Sequence, residues 1–447
     1  MTQSGTSLSE KKNEGRTIKG VRCQVCTGCG LCPGVPRQGL AGPIHVLTES
    51  GFGKDGISLK NEKGLRLVAA DVGTTTIAME LYGEDGSVRD SHALVNPQTE
   101  FGSDVLSRVR AAREPDVRLK MQEMVRSALA RGAERFLKCL EPGESLFMVI
   151  AANTVMSYLL MDWDPEELGQ APFSASKLDG ADFELPITHG SGKISVPCHL
   201  LPGFSAFVGS DLYAGALACG MDESPEMTLL VDLGTNGEIL LGNREGILAT
   251  ATAAGPAFEG GPARGTWGAD LVRYAALLLE EGILDETGLL KEPYFERGVR
   301  IGNVLLTKEA IRSLQIAKAA ILAGIRILMK EKGVTAGEIE RVVLAGGFGY
   351  FLRPEDAVRI GLLPASLEGK AVSGGNTALA GAKKFGAGML LEGKAGKPGD
   401  GAGQSERKTG KPGEGAVLSN VRVINLAEQP EFPDWYVDSM QCKPWSE

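Results

Sequence analysis

The chain of 447 residues lacks any long apolar run. Stretches such as Tyr274 to Leu279 fall far short of the roughly 20 residues a membrane helix needs. It lacks a basic excess as well. A formal net charge of −9 leaves too few lysines and arginines to neutralise a phosphate backbone, which excludes general nucleic-acid binding. The start, Met1 to Gly20, is polar and carries no hydrophobic signal region, so a cytoplasmic location with no membrane partner is expected. Histidine is scarce, with four residues, and leaves little material for imidazole-based metal sites. What is present suffices for ordinary cores: 43% of residues are apolar, and the length allows two or three domains.

Four of the eight cysteines crowd into one stretch, Cys23, Cys26, Cys29 and Cys32, followed by Pro33. In a reducing compartment such a cluster reads as metal ligation rather than disulfides. Thiolates at a repeated three-residue step, with Gly28 and Gly30 easing the turns, can wrap one compact soft-metal centre. Structural zinc sites usually draw cysteine pairs from two separated loops. Four ligands within ten residues look more like ferredoxin ligation of a 4Fe–4S cluster. The last spacing is shorter than in ferredoxins, so zinc or another iron–sulfur type stays open, as does a contribution from Cys442. Cys139 and Cys219 lie in apolar helical contexts and read as small core residues. The pair Cys198 and His199 reads as core in preference to metal ligation.

Residues 1–16 are polar and without periodicity, and are expected to be disordered. The cysteine segment spans 17–42 and a short connection, 43–66, follows. From Leu67 the pattern becomes α/β, dividing into 67–222 and 223–391. A segment over 392–418 carries Gly-Lys-Pro-Gly twice and reads as a flexible linker. In the tail, 419–447, a strand is expected over Val421 to Leu426, and the aromatics of Pro430 to Trp445 are expected to dock on something. Helices are expected within Phe101 to Leu140, and a strand at Leu146 to Ala151. A further helix is expected from Lys308 to Lys332, with Thr307 as its N-cap and Ile311, Leu314, Ala317, Ile321, Ile325 and Leu328 on one face.

Two segments nearly repeat one another. Leu67-Val-Ala-Ala-Asp71-Val-Gly73-Thr74-Thr75-Thr76 returns as Leu229-Leu-Val-Asp232-Leu-Gly234-Thr235-Asn236-Gly237-Glu238, each an apolar strand ending in Asp-x-Gly-Thr before a second apolar run. Gly73 and Gly234 permit a sharp turn that brings backbone N–H groups to phosphate oxygens. Thr74, Thr75, Thr76, Thr235 and Asn236 add polar contacts, and Asp71 and Asp232 are oxygen ligands suited to Mg²⁺ through its waters. Such a pair grips a metal–polyphosphate from both sides, so Mg-ATP is the expected ligand. Gly346 and Gly347, after the strand Arg341 to Ala345, leave room for a nucleoside.

These landmarks resemble the superfamily of acetate and sugar kinases, heat-shock chaperones and actins. Asp71 to Thr76 and Asp232 to Glu238 look like its two phosphate motifs, Leu344 to Gly349 like its adenosine motif, and Gly209 to Ala218 and Gly375 to Ala382 like its connecting helices. The resemblance implies two RNase H-like subdomains closing on Mg-ATP. It also places Asp211 where an acidic residue orients the attacking water or hydroxyl; the alternative is a helix N-cap.

Longer runs are more specific. Asn96-Pro-Gln-Thr-Glu-Phe101-Gly-Ser-Asp104, Asn153-Thr-Val-Met156, Gly255-Pro-Ala-Phe258-Glu259-Gly260, Leu314-Gln315-Ile-Ala-Lys318 and Asn425-Leu-Ala-Glu-Gln-Pro-Glu-Phe432 resemble the reductive activators of corrinoid proteins. Those are iron–sulfur ATPases that return Co(II) corrinoid to Co(I). The resemblance implies an ATP-coupled electron-transfer enzyme whose acceptor is a corrinoid protein or another low-potential metalloprotein. It further implies a ferredoxin-like electron donor, and homodimers are compatible with the fold. It adds Gly255, Gln315 and Lys318 to the nucleotide-binding residues, although the last two also suit the polar face of an amphipathic helix. The chain departs from the family in its N-terminus, where too few residues precede Leu67 for a plant-type 2Fe–2S fold. A small-molecule kinase or a regulatory ATPase with a zinc-bound cysteine segment remains the reading from other classes.

Overall fold

A computed structural model describes residues 57–61, 64–189, 192–234, 236–255, 268–301, 304–395, 418 and 420–447. The cysteines Cys23, Cys26, Cys29 and Cys32, Thr235 and the linker expected over 392–418 (save its first residues and Leu418) lie outside these. Among the described residues no helix is long and apolar enough to cross a membrane.

The first sheet is built from β1 (Leu65–Val72), β2 (Thr76–Tyr82), β3 (Val88–Val95), β4 (Ser145–Ala152), β5 (Ala181–His189) and β6 (Gly192–Leu200), in the order β3-β2-β1-β4-β6-β5. β1 is buried almost throughout, as a continuous apolar run between two packed faces should be, whereas β3 alternates and lies at the edge. β1 to β3 form an antiparallel meander, and β4 and then β6 add parallel strands on the other side.

The second sheet repeats this plan. It comprises β7 (Thr228–Leu233), β8 (Gly237–Asn243), β9 (Gly246–Thr252), then, after the small hairpin β10 (Val299–Ile301) and β11 (Val304–Leu306), β12 (Arg341–Ala345), β13 (Ala371–Gly375) and β14 (Val421–Val423). Its order is β13-β12-β7-β8-β9-β14. The run β9-β8-β7-β12-β13 thus matches β3-β2-β1-β4-β6, and the two lobes are RNase H-like duplicates. The α/β class and the paired architecture are as expected.

Two helices rich in small residues join the lobes, and each packs on the sheet it did not come from. The helix Ser210–Ala218 follows β6, yet Leu212 and Ala216 pack with Leu230, Leu240 and Val343 of the second sheet. The helix Thr377–Leu391 follows β13, yet Leu379, Ala382 and Leu390 pack with Leu67, Ala69 and Val149 of the first. Gly381 and Ala214 meet where the helices cross: a Cβ at Gly381 would stand 1.8 Å from the Ala214 carbonyl oxygen.

The helix Lys308–Lys332 has the expected limits, with the Thr307 hydroxyl accepting from Ala310 N–H and Gly333 closing it at φ 72°. The helical stretch expected over Phe101 to Leu140 resolves into Val105–Ala111 and Pro115–Leu137, the proline opening the second. Three expectations are corrected. The strand at Val421 stops at Val423, because Asn425 accepts from the Ala427 N–H and turns the chain. Cys139 lies past the end of its helix and is exposed, near Asp90, rather than in the core. Cys198 is buried, but His199 points to the opposite face of β6, where it bonds Asp182 at 2.6 Å and stacks on Phe385.

Candidate functional site

Each duplicated strand runs one residue past its aspartate and then turns. In the first lobe Gly73 N–H donates to Thr76 O at 2.9 Å, closing the turn between β1 and β2. Three side chains brace the loop from behind, Asn96 and Arg108 buried and Asn153 half-buried. The Asn96 amide donates to Gly73 O at 2.8 Å, Arg108 Nη2 to Thr74 O at 2.6 Å, and Asn153 Nδ2 to Thr74 Oγ1 at 3.0 Å. Asn96 also caps the turn Pro97–Phe101, and Asn153 caps the helix Thr154–Met161. The runs around Asn96 and Asn153, singled out in the sequence, are therefore the supports of this loop. With Thr74 held, Thr75 is the exposed hydroxyl and Thr76 is half-buried at the start of β2.

The second lobe turns more tightly, by one residue, with Gly234 N–H donating to Asn236 O at 3.0 Å. Gly346 follows β12 directly alongside, at φ 80°; a Cβ there would stand 2.4 Å from Asp232 Oδ1 and 2.6 Å from Leu233 O. Only glycine fits such an approach. Gly347 has open space where a side chain would be. Gly255 lies beyond the end of β9 at φ 70°, also with open space beside it.

Asp211 sits in the first turn of the helix Ser210–Ala218, whose N-cap is Gly209. The N-cap alternative is thus set aside: the Asp211 carboxylate accepts from Leu212 N–H at 2.9 Å, and its charge acts on Asp232 and Glu238. The helix start is tied to the end of β4, because Ser210 Oγ accepts from Ala152 N–H at 2.8 Å and donates to Ala152 O at 2.9 Å. Asp71 accepts from Asn376 Nδ2 at 2.9 Å, a contact between the first lobe and the N-cap of the second connecting helix.

The three aspartates meet, and a fourth carboxylate joins them. Glu238 stands opposite Asp232 in the β7–β8 register and is held by the Asn236 side chain. All four are half-buried, enclosed by protein while still reached by solvent. Desolvation raises Asp71 to about 6 against the relief of its bond to Asn376. Desolvation and then the Asp71 charge push Asp211 up to about 7, and desolvation with the charges of Asp211 and Asp71 does the same to Asp232. Glu238 is raised well above the usual carboxylate range, by desolvation first and then by Asp211 and Asp232. No cation appears among these influences in the described residues. Such a cluster is a place for positive charge to enter.

Gln315 and Lys318 are not brought to this cluster. Gln315 Nε2 donates to Thr287 O at 2.8 Å and Met440 O at 2.9 Å. The buried Lys318 ammonium donates to Ser439 O at 2.5 Å, to Gly361 O at 3.4 Å and to Gln441 O. Both hold the C-terminal tail. The carboxylate of Glu238, the amide of Asn376 and the guanidinium of Arg108 were not among the site residues read from the sequence. Glu238 carried a signal there: an acid opposite an acid across a tight hairpin, which like-charge repulsion disfavours unless a cation sits between.

Comparison with known proteins agrees with this architecture. Residues 67–224 match the family described as the RACo middle region, and residues 226–275 and 262–389 match the C-terminal domain of RACo, the ASKHA domain. The chain is 31% identical over 409 residues to the corrinoid activation enzyme RamQ of Eubacterium limosum, covering 76% of this chain and 68% of that one. It is 24% identical over 239 residues to the Co(II) methylated amine-specific corrinoid protein reductase of Methanosarcina barkeri, covering 41% of this chain and 43% of the relative. Among solved structures, a reductive activator for a corrinoid, iron–sulfur protein superposes with a TM-score of 0.65 at 26% identity, over 86% of this chain and 67% of that one.

Proposed function

Because the chain belongs to the family of reductive activators of corrinoid proteins, we propose that it uses Mg-ATP to drive an electron onto the Co(II) of a corrinoid protein, restoring Co(I). The observation that carries this reading is the gathering of unneutralised carboxylates from both lobes, Asp71 from one and Asp211, Asp232 and Glu238 from the connecting helix and the other. Among the described residues no three His, Cys, Asp or Glu side chains form a ready metal-ligand set. A hydrated Mg²⁺ arriving with its nucleotide suits such a cluster, since Mg²⁺ parts with its waters reluctantly. Asp71 and Asp232 would hold the hydrated ion, which supplies charge neutralisation for the phosphates. Asp211 faces the same space from the connecting helix. The loop amides after Gly73 and Gly234, with Thr75, Thr76, Thr235 and Asn236, hold phosphate oxygens, and Gly346 and Gly347 admit the nucleoside.

Binding from two sides favours the closed arrangement of the lobes over the open one, and any coupling to a partner must come from that difference in affinity. Cys23, Cys26, Cys29 and Cys32 are the donor set for a 4Fe–4S cluster, which supplies one-electron chemistry when bound. The electron source is a reduced ferredoxin-like protein of the cytoplasm.

The test is spectroscopic. With a reduced low-potential donor and a Co(II) corrinoid protein under strict anaerobiosis, the Co(II) EPR signal is expected to disappear only when Mg-ATP is present. Equal loss without nucleotide, or none with it, contradicts the reading. Cys26→Ser is expected to stop the reduction and leave nucleotide binding unchanged.

A further inference from the structure

The two lobes share one plan but differ beside the aspartates, where the β7–β8 turn is one residue shorter than the β1–β2 turn. Across the β1–β2 hairpin Asp71 faces Ala78; across the β7–β8 hairpin Asp232 faces Glu238. Cross-strand partners in register share a face of the sheet, so Glu238 lies next to Asp232 on the side that looks across at Asp71 and Asp211. The Asn236 side chain bonds the Glu238 carboxylate. Holding an ion between two lobes is a symmetric task, and Asp71 and Asp232 are symmetric in the duplicated plan. Phosphoryl transfer is not symmetric, since the nucleophile enters from one side of the γ-phosphate only. An extra acid in one lobe alone suits the unsymmetrical part of the chemistry.

Asp211 is less free for that task. Its carboxylate is bonded within its own turn to Leu212 N–H, and the helix carrying it is pinned through Ser210 to β4. Glu238 is longer by one methylene, and its carboxylate is bonded by the Asn236 side chain and by its own backbone N–H.

We propose that Glu238 is the catalytic residue that orients and deprotonates the water attacking the γ-phosphate, an assignment that rests on the Mg-ATP reading of the site. The water oxygen bonds to the γ-phosphorus while the bond from that phosphorus to the bridging oxygen breaks, releasing ADP. The water proton passes to the Glu238 carboxylate and from there to the departing phosphate.

The test compares steady-state ATP hydrolysis, Mg-ATP affinity and the Mg²⁺ requirement in the full chain, Glu238→Gln and Asp211→Asn. Loss of a general base typically costs about 10²–10⁴-fold, so Glu238→Gln is expected to lose about 100-fold or more in kcat. Its Mg-ATP affinity and half-saturating Mg²⁺ should stay within about threefold of the parent, as for an interaction made only in the transition state. Glu238→Asp, which keeps the charge on a shorter arm, should recover part of the rate and guards against a folding defect in the amide variant. Three results overturn the assignment: hydrolysis by Glu238→Gln within about threefold of the parent, a loss confined to Mg²⁺ or nucleotide binding, or the full loss appearing in Asp211→Asn alone. If the parent chain itself hydrolyses no ATP, it is the Mg-ATP reading that fails.

Discussion

At the scale of single residues the carboxylate cluster makes the site costly to the empty protein. In the unfolded chain Asp71, Asp211 and Asp232 titrate near 3.8; in the fold they titrate at about 6, 7 and 7. Between these values the folded state holds protons that the unfolded chain has released, so stability falls as pH rises from about 4 to 7. The nucleotide-free protein is therefore expected to melt higher at about pH 5 than at about pH 8, with Mg-ADP closing the gap by supplying the missing charge. Asp232→Asn removes one of the repelling acids. It should raise the melting temperature at about pH 8 by roughly 2–4 °C while abolishing Mg-ATP turnover, and differential scanning calorimetry at both pH values checks it. A melting temperature that climbs with pH would contradict the placement of these groups.

The same scale shows why part of the site was legible and part was not. Asp71 to Thr76 and Asp232 to Glu238 are local motifs, and a duplicated local motif can be read from spacing. The braces on Thr74 come from Arg108 and Asn153, 34 and 79 residues away, so no spacing announces them. Arg108 is fully buried in the fold, where its main bonds are to the Thr74 and Gly102 carbonyls. In the sequence it reads as an ordinary charged helix residue.

At the scale of elements, the connecting helices are held by contacts that small residues permit. Gly381→Ala would place a methyl within 1.8 Å of the Ala214 carbonyl oxygen, whereas Gly388 of the same helix has nothing within 4 Å of such a group. The first substitution is expected to cost about 3 kcal/mol or more by forcing the helices apart. The second should stabilise by up to about 1 kcal/mol, through helix propensity alone. Urea unfolding of both variants measures the contrast, and similar effects at the two positions would contradict the crossing.

The helix Lys308–Lys332 was legible in its limits and its apolar face, both set by local sequence. The destination of its polar face was not, because Gln315 and Lys318 suit a cleft or a tail equally well until the tail is seen. The tail packs here through Arg326, which pairs with Asp438 at 2.7 Å and lies over the rings of Trp435 and Trp445. Lys318→Met leaves three carbonyls without their donor, at a cost of about 2 kcal/mol or more. Limited proteolysis is expected to cut near Ser439 to Cys442 in that variant well before the parent. Unchanged cleavage would show that the ammonium is not what holds the segment.

At the scale of the whole molecule, duplication supplies two sheets of one plan, and exchanged connecting helices tie each lobe to the other's core. The bond from Asn376 to Asp71 places the start of one of those helices against the first lobe's aspartate, so a ligand that engages Asp71 also bears on the helix that Asn376 caps. The ligand that reads both lobes at once is the lever for any coupling to an electron acceptor. Isothermal titration calorimetry of the anaerobic full-length protein with ATP tests this most directly. Saturable binding that requires Mg²⁺, and is lost in Asp71→Asn and Asp232→Asn alike, is the predicted result. Binding that survives removal of either aspartate, or no uptake of nucleotide at all, would contradict it.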